Sequence, residues 1–216
     1  MADQTESPCI FVLAGTNGAG KSSIAGSWLV QRGAEYFNPD EAARRILSAH
    51  PGMTLTEGNS QARNHGKRLL ERAIAEHLDF AFETTLGGHT ITNLLNSALS
   101  QGIEVRIWYV ALSSVELHIA RVHSRVAGGG HDIPEARIKE RYHRSRLNLI
   151  QLMPKLTELR VYDNSEEADP RAGLVPQPKL ILHFAGGKIM NCCELTDVPE
   201  WAKPIVVEAI KRSGLE

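Results

Sequence analysis

The chain has little of what marks the specialised protein classes. It contains three cysteines in 216 residues, namely Cys9, Cys192 and Cys193, and an odd number with two adjacent is not typical of a disulfide framework. No apolar run approaches the roughly 20 residues that a membrane-spanning helix needs. The polar, slightly acidic residues 1–8 do not resemble a secretory signal. We therefore expect a reduced, cytoplasmic protein that has no membrane partner.

Excess charge of one sign is also missing. Lysine and arginine number 24 against 25 acidic residues, which gives a net charge of −1, so we expect no nucleic-acid partner. The nine histidines occur without an H-E-x-x-H or C-x-x-C pattern, which argues against a structural metal site. Any charge that binds phosphate must therefore be concentrated locally.

Strand-like and helix-like segments alternate along most of the chain, which favours a parallel sheet covered by helices. We predict strands at 9–14, 34–38, 79–83, 103–110 and 159–162. Predicted helices cover 21–32, 39–47, 57–77, 90–99, 113–126, 132–153 and 199–212. Capping boxes are expected at Ser113 with Glu116 and at Asp132 with Glu135. Residues 180–184 and 188–192 are expected to form a β-hairpin.

The clearest motif follows the first predicted strand. Residues 15–22, Gly-Thr-Asn-Gly-Ala-Gly-Lys-Ser, match the phosphate-binding pattern G-x-x-x-x-G-K-[ST] between a strand and an amphipathic helix. Backbone N–H groups of such a loop point at phosphate oxygens, so Lys21 is expected to reach the β- and γ-phosphates and Ser22 to ligate Mg²⁺. A flexible turn that matches by chance is the alternative. The predicted ATP-binding residues here are Gly15, Thr16, Asn17, Gly18, Ala19, Gly20, Lys21, Ser22 and Ser23.

The motif and the alternation together predict the fold class. We expect an α/β P-loop kinase fold of three layers, with a mostly parallel five-stranded sheet flanked by helices. A C-terminal β-hairpin and helix follow. The whole chain, 1–216, is predicted to be a single domain with a core at about 9–165 and an extension at about 176–213.

Two carboxylates follow predicted strands at the edge of the sheet where ligands bind in such folds. Asp40 lies just past the second strand and could accept a proton from a hydroxyl group or help to organise Mg²⁺. Glu83 and Thr85 follow the third strand and could hold an acceptor. The alternatives are that Asp40 caps the helix after it and that Thr84 or Thr85 caps the next.

A local basic region lies between residues 121 and 146, where seven lysines and arginines stand against three acidic residues. Arginines recur at helical spacing on both sides of the glycines at 128–130, as a lid closing over a triphosphate would require. A solvated charged face is the alternative, particularly for Lys139 and Arg146. The spaced arginines are Arg121 and Arg125 on one predicted helix, and Arg137, Arg141 and Arg144 on the next.

These motifs together resemble the zeta-toxin family of P-loop kinases, particularly its shorter members. The resemblance rests on residues 15–23, 38–41, 82–85, 129–134 and 141–148, which cover most of 10–164 in order. It implies a kinase that uses ATP and Mg²⁺ to phosphorylate a small acceptor hydroxyl, with UDP-N-acetylglucosamine or a related nucleotide or sugar as the candidate. The toxin role of the family also implies an antitoxin partner.

The resemblance assigns roles to individual residues. It implies that Asp40 is the general base, that Lys21 binds phosphate, and that Glu83 and Thr85 contact the acceptor. Asn164 is implied to lie near the adenine. One or more of four arginines are implied to clamp the phosphates: Arg121, Arg125, Arg141 and Arg144.

Two other functions fit parts of the sequence. A non-catalytic nucleotide-binding regulator would be favoured if Asp40 only caps a helix and the arginines face solvent. A mechanical or transporter-type ATPase would need a carboxylate-rich Walker B segment, and residues 126–130 imitate a transporter signature poorly.

Overall fold

The computed structural model describes residues 7–21, 36–128, 130, 132–166 and 177–214, and all elements are numbered over these residues. The strands are β1 (Cys9–Ala14), β2 (Tyr36–Phe37), β3 (Phe80–Thr84), β4 (Glu104–Ala111), β5 (Glu158–Asp163), β6 (Lys179–Ala185) and β7 (Lys188–Cys192). The helices are α1 (Pro39–Ala49), α2 (Leu55–Ala75), α3 (His89–Ser100), α4 (Val115–Ala127), α5 (Glu135–Leu152) and α6 (Lys203–Ser213). The predicted helix at 21–32 lies outside the described residues beyond Lys21.

The strands form one seven-stranded sheet in the order β2-β3-β1-β4-β5-β6-β7. Neighbours from β2 to β5 pair in parallel, whereas β6 and β7 pair antiparallel. The predicted α/β P-loop kinase fold is confirmed. The C-terminal hairpin extends the same sheet by hydrogen bonding to β5, so the sheet has two more strands than the predicted five. That the chain is a single domain stays a prediction.

Strand β1 lies in the middle of the sheet and is buried on both faces. Ile10 and Val12 point into the larger core, which also contains side chains of α3, α5 and α6. Phe11 and Leu13 point to the opposite face, where Trp108 of β4 packs against Phe11. A strand that is apolar at every position is what burial between two helical layers requires. The strand ends at Ala14, and the glycine-rich loop begins directly after it.

Helix boundaries differ from the predicted ones where capping side chains have other partners. The predicted box of Ser113 and Glu116 does not cap α4; instead Ser114 accepts a hydrogen bond from the N–H of Leu117. The backbone N–H of Ser113 donates instead to the hydroxyl oxygen of Ser165 at 2.7 Å. Capping is therefore shifted by one residue.

The second predicted box, Asp132 with Glu135, is also wrong. Helix α5 begins after Pro134 without a side-chain cap, and the Asp132 carboxylate accepts from the adjacent N–H of Ile133 at 2.8 Å. A capping box does occur at Thr54, whose hydroxyl accepts from the N–H of Glu57 while the Glu57 carboxylate accepts from the N–H of Thr54. Helix α2 therefore begins two residues before the predicted start. The last helix, α6, begins at Lys203 rather than 199. Within the described residues, no helix combines the length and apolar character needed to cross a membrane.

Candidate active site

The loop after β1 is the centre of the site. The backbone N–H of Gly15 donates to the carbonyl of Thr84 at 3.2 Å, which ties the start of the loop to the end of β3. Gly15 has a φ of 145°, and a Cβ added there would lie 2.0 Å from the Val110 carbonyl oxygen. Only glycine fits at this position, because the backbone must pass directly over β4. We call residues 15–21 the phosphate cradle; that they bind phosphate stays a prediction, and Ser22 and Ser23 lie outside the described residues.

Lys21 turns back over this loop. Its ammonium group donates to the carbonyl oxygens of Gly15 at 2.8 Å and Thr16 at 3.4 Å, and it lies 3.4 Å from the Glu83 carboxylate. Lys21 is only 7% exposed and the Glu83 side chain 11%. A buried ammonium is stabilised only when it is paired and hydrogen-bonded, and these three oxygens provide that. The lysine is thus held at the cradle as a fixed positive charge.

Glu83 contacts two further side chains besides Lys21. Its other oxygen accepts from the hydroxyl of Tyr36 at 3.0 Å and from the amide of Asn38 at 3.2 Å. Burial, reinforced by the Glu83 charge, raises the pKa of Tyr36 well above its usual range, so the phenol remains a neutral donor. Glu83 was predicted to contact the acceptor, and the structure places it against Lys21. Tyr36 and Asn38 are site residues that the sequence pattern did not single out.

Asp40 lies at the mouth of the site, in the first turn of α1. The cap of this helix is Asn38, whose side chain accepts from the N–H of Asp40 at 2.9 Å and of Glu41 at 3.3 Å. The capping alternative for Asp40 is therefore wrong, and its carboxylate is half exposed and lies 3.9 Å from a guanidinium nitrogen of Arg125. A solvent-facing carboxylate beside the cradle is available to accept a proton. Its role as general base stays a prediction.

Thr85 follows β3 directly and is half-buried. The cap position of α3 is Gly88, which makes no side-chain cap bond, while the hydroxyl of Thr84 accepts from the N–H of Leu86 at 3.1 Å. The helix-capping alternative for these threonines is therefore wrong as well. The acceptor contact predicted for Thr85 stays a prediction.

The four predicted arginines do not all converge on the loop. Arg141 of α5 donates to the side-chain oxygen of Asn17 at 2.7 Å, which joins α5 to the cradle. Burial lowers the pKa of Arg141, and the nearby charges of Arg137 and Arg63 lower it further. Arg63, on α2, was not predicted, because it is distant in sequence from the basic region.

The other three arginines have different surroundings. Arg121 of α4 donates to the carbonyl oxygens of Ser165 and Glu166 at 3.4 and 3.3 Å, beyond the end of β5. Arg125 is paired with Asp40, as given above. Arg144 faces solvent and pairs with Glu140 of its own helix at 2.8 Å, as the solvated-face alternative has it. The glycine lid is described only in part: the N–H of Gly130 donates to the carbonyl of Arg125 at 2.9 Å.

His118 of α4 is a site residue that only the structure reveals. It is fully buried, and its Nδ1 lies 2.7 Å from the carbonyl oxygen of Asn17 in the loop. Burial is the main reason why its pKa falls to about 4, so the ring is neutral at pH 7 and donates through Nδ1. A signal was present, since His118 shares the helical face of Val115 and Val122, three positions before and four after it.

Asn164 closes the far side of the cradle. Its amide donates to the carbonyl oxygen of Ala19 at 2.9 Å, and its backbone N–H donates to Ala111 at 3.0 Å. The residue was predicted to lie near the adenine, and the structure places its side chain against the phosphate-binding loop. In the described part of the chain, the buried hydroxyl of Thr16 has no hydrogen-bond partner.

The residues at this cradle fit a nucleoside triphosphate. A glycine-rich loop, a fixed ammonium and an unsatisfied hydroxyl all suit phosphate oxygens. For Mg²⁺, the hard oxygen ligands available are the hydroxyl of Ser22, by the motif, and nearby carboxylates such as Asp40. The described residues contain no group of three or more histidine, cysteine, aspartate or glutamate side chains that could hold a metal ion.

The sequence of the chain matches a known protein family and a known protein. The family profile described as Zeta toxin matches residues 1–169. An uncharacterized protein of Haemophilus influenzae is 33% identical over 133 residues, which cover 59% of this chain and 88% of that protein.

Two solved structures share the fold at low sequence identity. The crystal structure of AvrRxo1-ORF1 and -ORF2 with ATP matches with a TM-score of 0.66 at 15% identity, over 95% of this chain and 64% of that one. The chain thus spans less than two thirds of that protein. The PezAT chromosomal toxin–antitoxin system of Streptococcus pneumoniae matches with a TM-score of 0.59 at 14% identity, over 97% of this chain and 87% of that one.

Proposed function

The chain belongs to the zeta-toxin family, and from that premise we propose that it is an ATP- and Mg²⁺-dependent kinase for a small molecule. The reaction would transfer the γ-phosphoryl group of ATP to a hydroxyl of the acceptor. UDP-N-acetylglucosamine, or a related nucleotide or sugar, is the candidate acceptor.

The observation that carries this proposal is the position of Lys21. Its ammonium group is buried at the glycine-rich loop and 3.4 Å from Glu83. Incoming phosphates would replace the carbonyl and carboxylate oxygens around this charge, and they carry more negative charge than Glu83 alone. A lysine held in place before ATP binds needs little reorganisation to stabilise charge on a transferring phosphoryl group.

Asp40 supplies the acceptor side of the proposed reaction. The acceptor oxygen would attack the γ-phosphorus, the bond from that phosphorus to the bridging oxygen of ADP would break, and the hydroxyl proton would pass to the Asp40 carboxylate. Arg125 is 3.9 Å from this carboxylate and Arg141 contacts the loop, so both lie where negative charge would accumulate. Mg²⁺, held by Ser22, would neutralise the phosphates when bound.

A partner protein is also proposed. The PezAT match is a toxin–antitoxin system, and the AvrRxo1 match is a complex of two proteins. An antitoxin for this chain would act by covering the phosphate cradle, because that would exclude ATP.

The first experiment measures ATP consumption with and without UDP-N-acetylglucosamine, followed by a panel of other sugar nucleotides and nucleosides. We expect one compound to stimulate turnover, and Asp40→Asn to lower that stimulated rate by about 10²-fold with ATP binding retained. Glu41→Gln is the matched control, since Glu41 is the adjacent acidic residue and forms an exposed ion pair with Arg45 of its own helix.

Two outcomes would count against the proposal. If ATP binds but no compound raises turnover, the protein is a nucleotide-binding regulator instead. If ATP is hydrolysed rapidly without any acceptor, the chain is an ATPase with another coupling, because a kinase that excludes water has low basal hydrolysis.

A further inference from the structure

The segment after the zeta-toxin match forms part of the site's support. The match ends at residue 169, and β6, β7 and α6 all lie beyond it. Trp201, just before α6, is 3% exposed and packs at a tilt against Tyr109 of β4, with ring centroids 6.3 Å apart. Trp201 is therefore one of the C-terminal side chains that pack against the central strands of the sheet.

The indole group of Trp201 is hydrogen-bonded to the residue that ends β5. Its Nε1 donates to one carboxylate oxygen of Asp163 at 2.8 Å. The other oxygen of Asp163 accepts from the backbone N–H of Ser165 at 2.7 Å. One carboxylate is thus shared between the C-terminal segment and the turn after β5, and a hydrogen bond to a charged acceptor is stronger than a neutral one.

That turn, residues 164–166, lies directly against the phosphate-binding loop. The Asn164 amide donates to the Ala19 carbonyl at 2.9 Å. A Cβ on Gly20 would lie 2.4 Å from the same amide nitrogen, so the Asn164 side chain packs directly against the backbone of Gly20. A shift of the turn would therefore move the last residues of the loop.

A second path leads from the backbone of Trp201 to Asn17 in the middle of the loop. The guanidinium of Arg146 donates to the Trp201 carbonyl at 3.3 Å and lies 4.1 Å above the ring of Tyr142. Tyr142 in turn packs edge-on against His118, with centroids 5.5 Å apart. His118 is the residue that bonds the Asn17 carbonyl, so the backbone of Trp201 is also connected to the middle of the loop.

We propose that Trp201 is a positioning residue: through Asp163 and the turn at 164–166 it holds the phosphate-binding loop in shape and so sets the affinity for ATP. The inference rests on the proposed function only in taking ATP as the ligand of this loop. It gives the turn just before α6 a role in nucleotide binding, and it predicts no contact between Trp201 and ATP.

The test is equilibrium binding of ATP to the full chain, measured by titration calorimetry without an acceptor. Trp201→Phe keeps an aromatic ring against Tyr109 and removes the indole N–H together with the rest of the five-membered ring, so a second variant, Asp163→Asn, is needed to separate the hydrogen bond from the packing. We expect ATP to bind about tenfold more weakly, as residues coupled to a site through packed contacts typically give. Where an acceptor has been found, the KM for ATP should rise while kcat and the acceptor KM stay close to wild type.

Ser213→Ala is the matched control for general loosening of the segment. The Ser213 hydroxyl accepts from the N–H of Ile189 at 3.0 Å, so this variant removes one hydrogen bond between α6 and β7 away from the loop. Its ATP affinity should equal that of wild type. Urea unfolding of both variants confirms that each is folded.

A second variant makes the test independent of Trp201 packing. Asp163→Asn has only one side-chain oxygen for the two donors, so it should also weaken ATP binding about tenfold. Combining it with Trp201→Phe should add little, because both changes break the same connection.

The outcomes separate this inference from the proposed function. If wild type binds ATP and Trp201→Phe binds it equally well, the positioning role is wrong and the kinase proposal stands. Fully additive effects of the two changes would also overturn it. If wild type does not bind ATP at all, the proposed function itself fails.

Discussion

The two sides of the candidate site are built by different means. The phosphate side consists of the loop at 15–20 with Lys21, Glu83, His118 and Asn164, and most of its polar atoms are buried and paired. The side that we propose to face the acceptor consists of Asp40, Arg63, Arg125 and Arg137, whose side chains are exposed.

This difference has a physical consequence. Buried paired groups in a low-dielectric interior hold their geometry and interact strongly, so the phosphate side is formed before a ligand arrives. Exposed charges interact weakly and are screened by salt, so the acceptor side takes its final shape only around its substrate. Phosphate binding should therefore depend on a few fixed residues, and acceptor binding on many small contributions.

The largest effect should come from removing the fixed charge of the phosphate side. We expect Lys21→Met to lower turnover by about 10³-fold, since one preorganised group of this kind contributes that much to the transition state. ATP binding should fall as well, which separates this variant from Asp40→Asn. Both are measured by the turnover assay and by calorimetric titration.

Lys67→Met is the control for this change, because Lys67 pairs with Glu71 on the exposed part of α2. It should leave ATP binding and turnover unchanged. If Lys21→Met binds ATP and turns over like wild type, the phosphate side is not where we place it, and the proposed division of the site into two sides is wrong.

An intermediate effect should appear in the pH dependence of stability, through His118. Burial lowers its pKa to about 4 in the folded protein, below the ordinary value of 6.5. Above pH 6.5 the ring is neutral in both states; below it the unfolded chain binds a proton that the folded one does not, so stability falls as pH falls towards 4. Between pH 7 and pH 5 this amounts to about 2 kcal/mol.

The measurement is urea unfolding of wild type and His118→Gln at both pH values. The loss between pH 7 and pH 5 should be about 2 kcal/mol smaller in the variant. His123→Gln, an exposed histidine on the same helix, should behave like wild type. An unchanged loss in His118→Gln would show that the ring is not held neutral against the loop.

The smallest effect should come from the acceptor side. Arg63→Gln removes one exposed charge near Arg141, so we expect the KM for a phosphate-bearing acceptor to rise about threefold, because exposed ion pairs contribute under 1 kcal/mol. The rise should shrink at high salt, and the Kd for ATP should not change. Both constants are measured at low and high ionic strength.

Arg68→Gln is the matched control on the same helix, because five residues along turn it about 140° away from Arg63. It should leave the acceptor KM unchanged. A large, salt-independent effect of Arg63→Gln would instead place that arginine in a buried, preformed contact, and the division between the two sides would disappear.

Much of the fold could be predicted because its signals are local. The apolar run of β1, the glycines at 15–20 and the alternation of elements each depend on neighbouring residues, and the parallel sheet confirms them. The joining of the hairpin to β5 could not be predicted, since pairing between strands is set by tertiary contacts. The two capping boxes failed because an expected local hydrogen bond lost to another partner, as at Ser113 and Asp132.

By itself the sequence determined the phosphate-binding loop and the carboxylates just after β2 and near the end of β3, because glycine patterns and strand ends depend on short stretches of chain. Only the tertiary structure decided which side chains meet there. It paired Lys21 with Glu83, placed Arg141 on the loop while leaving Arg144 in solvent, and put His118 beneath Asn17. These contacts join residues up to 124 positions apart, and helical spacing fixes directions within one helix but not what each direction faces.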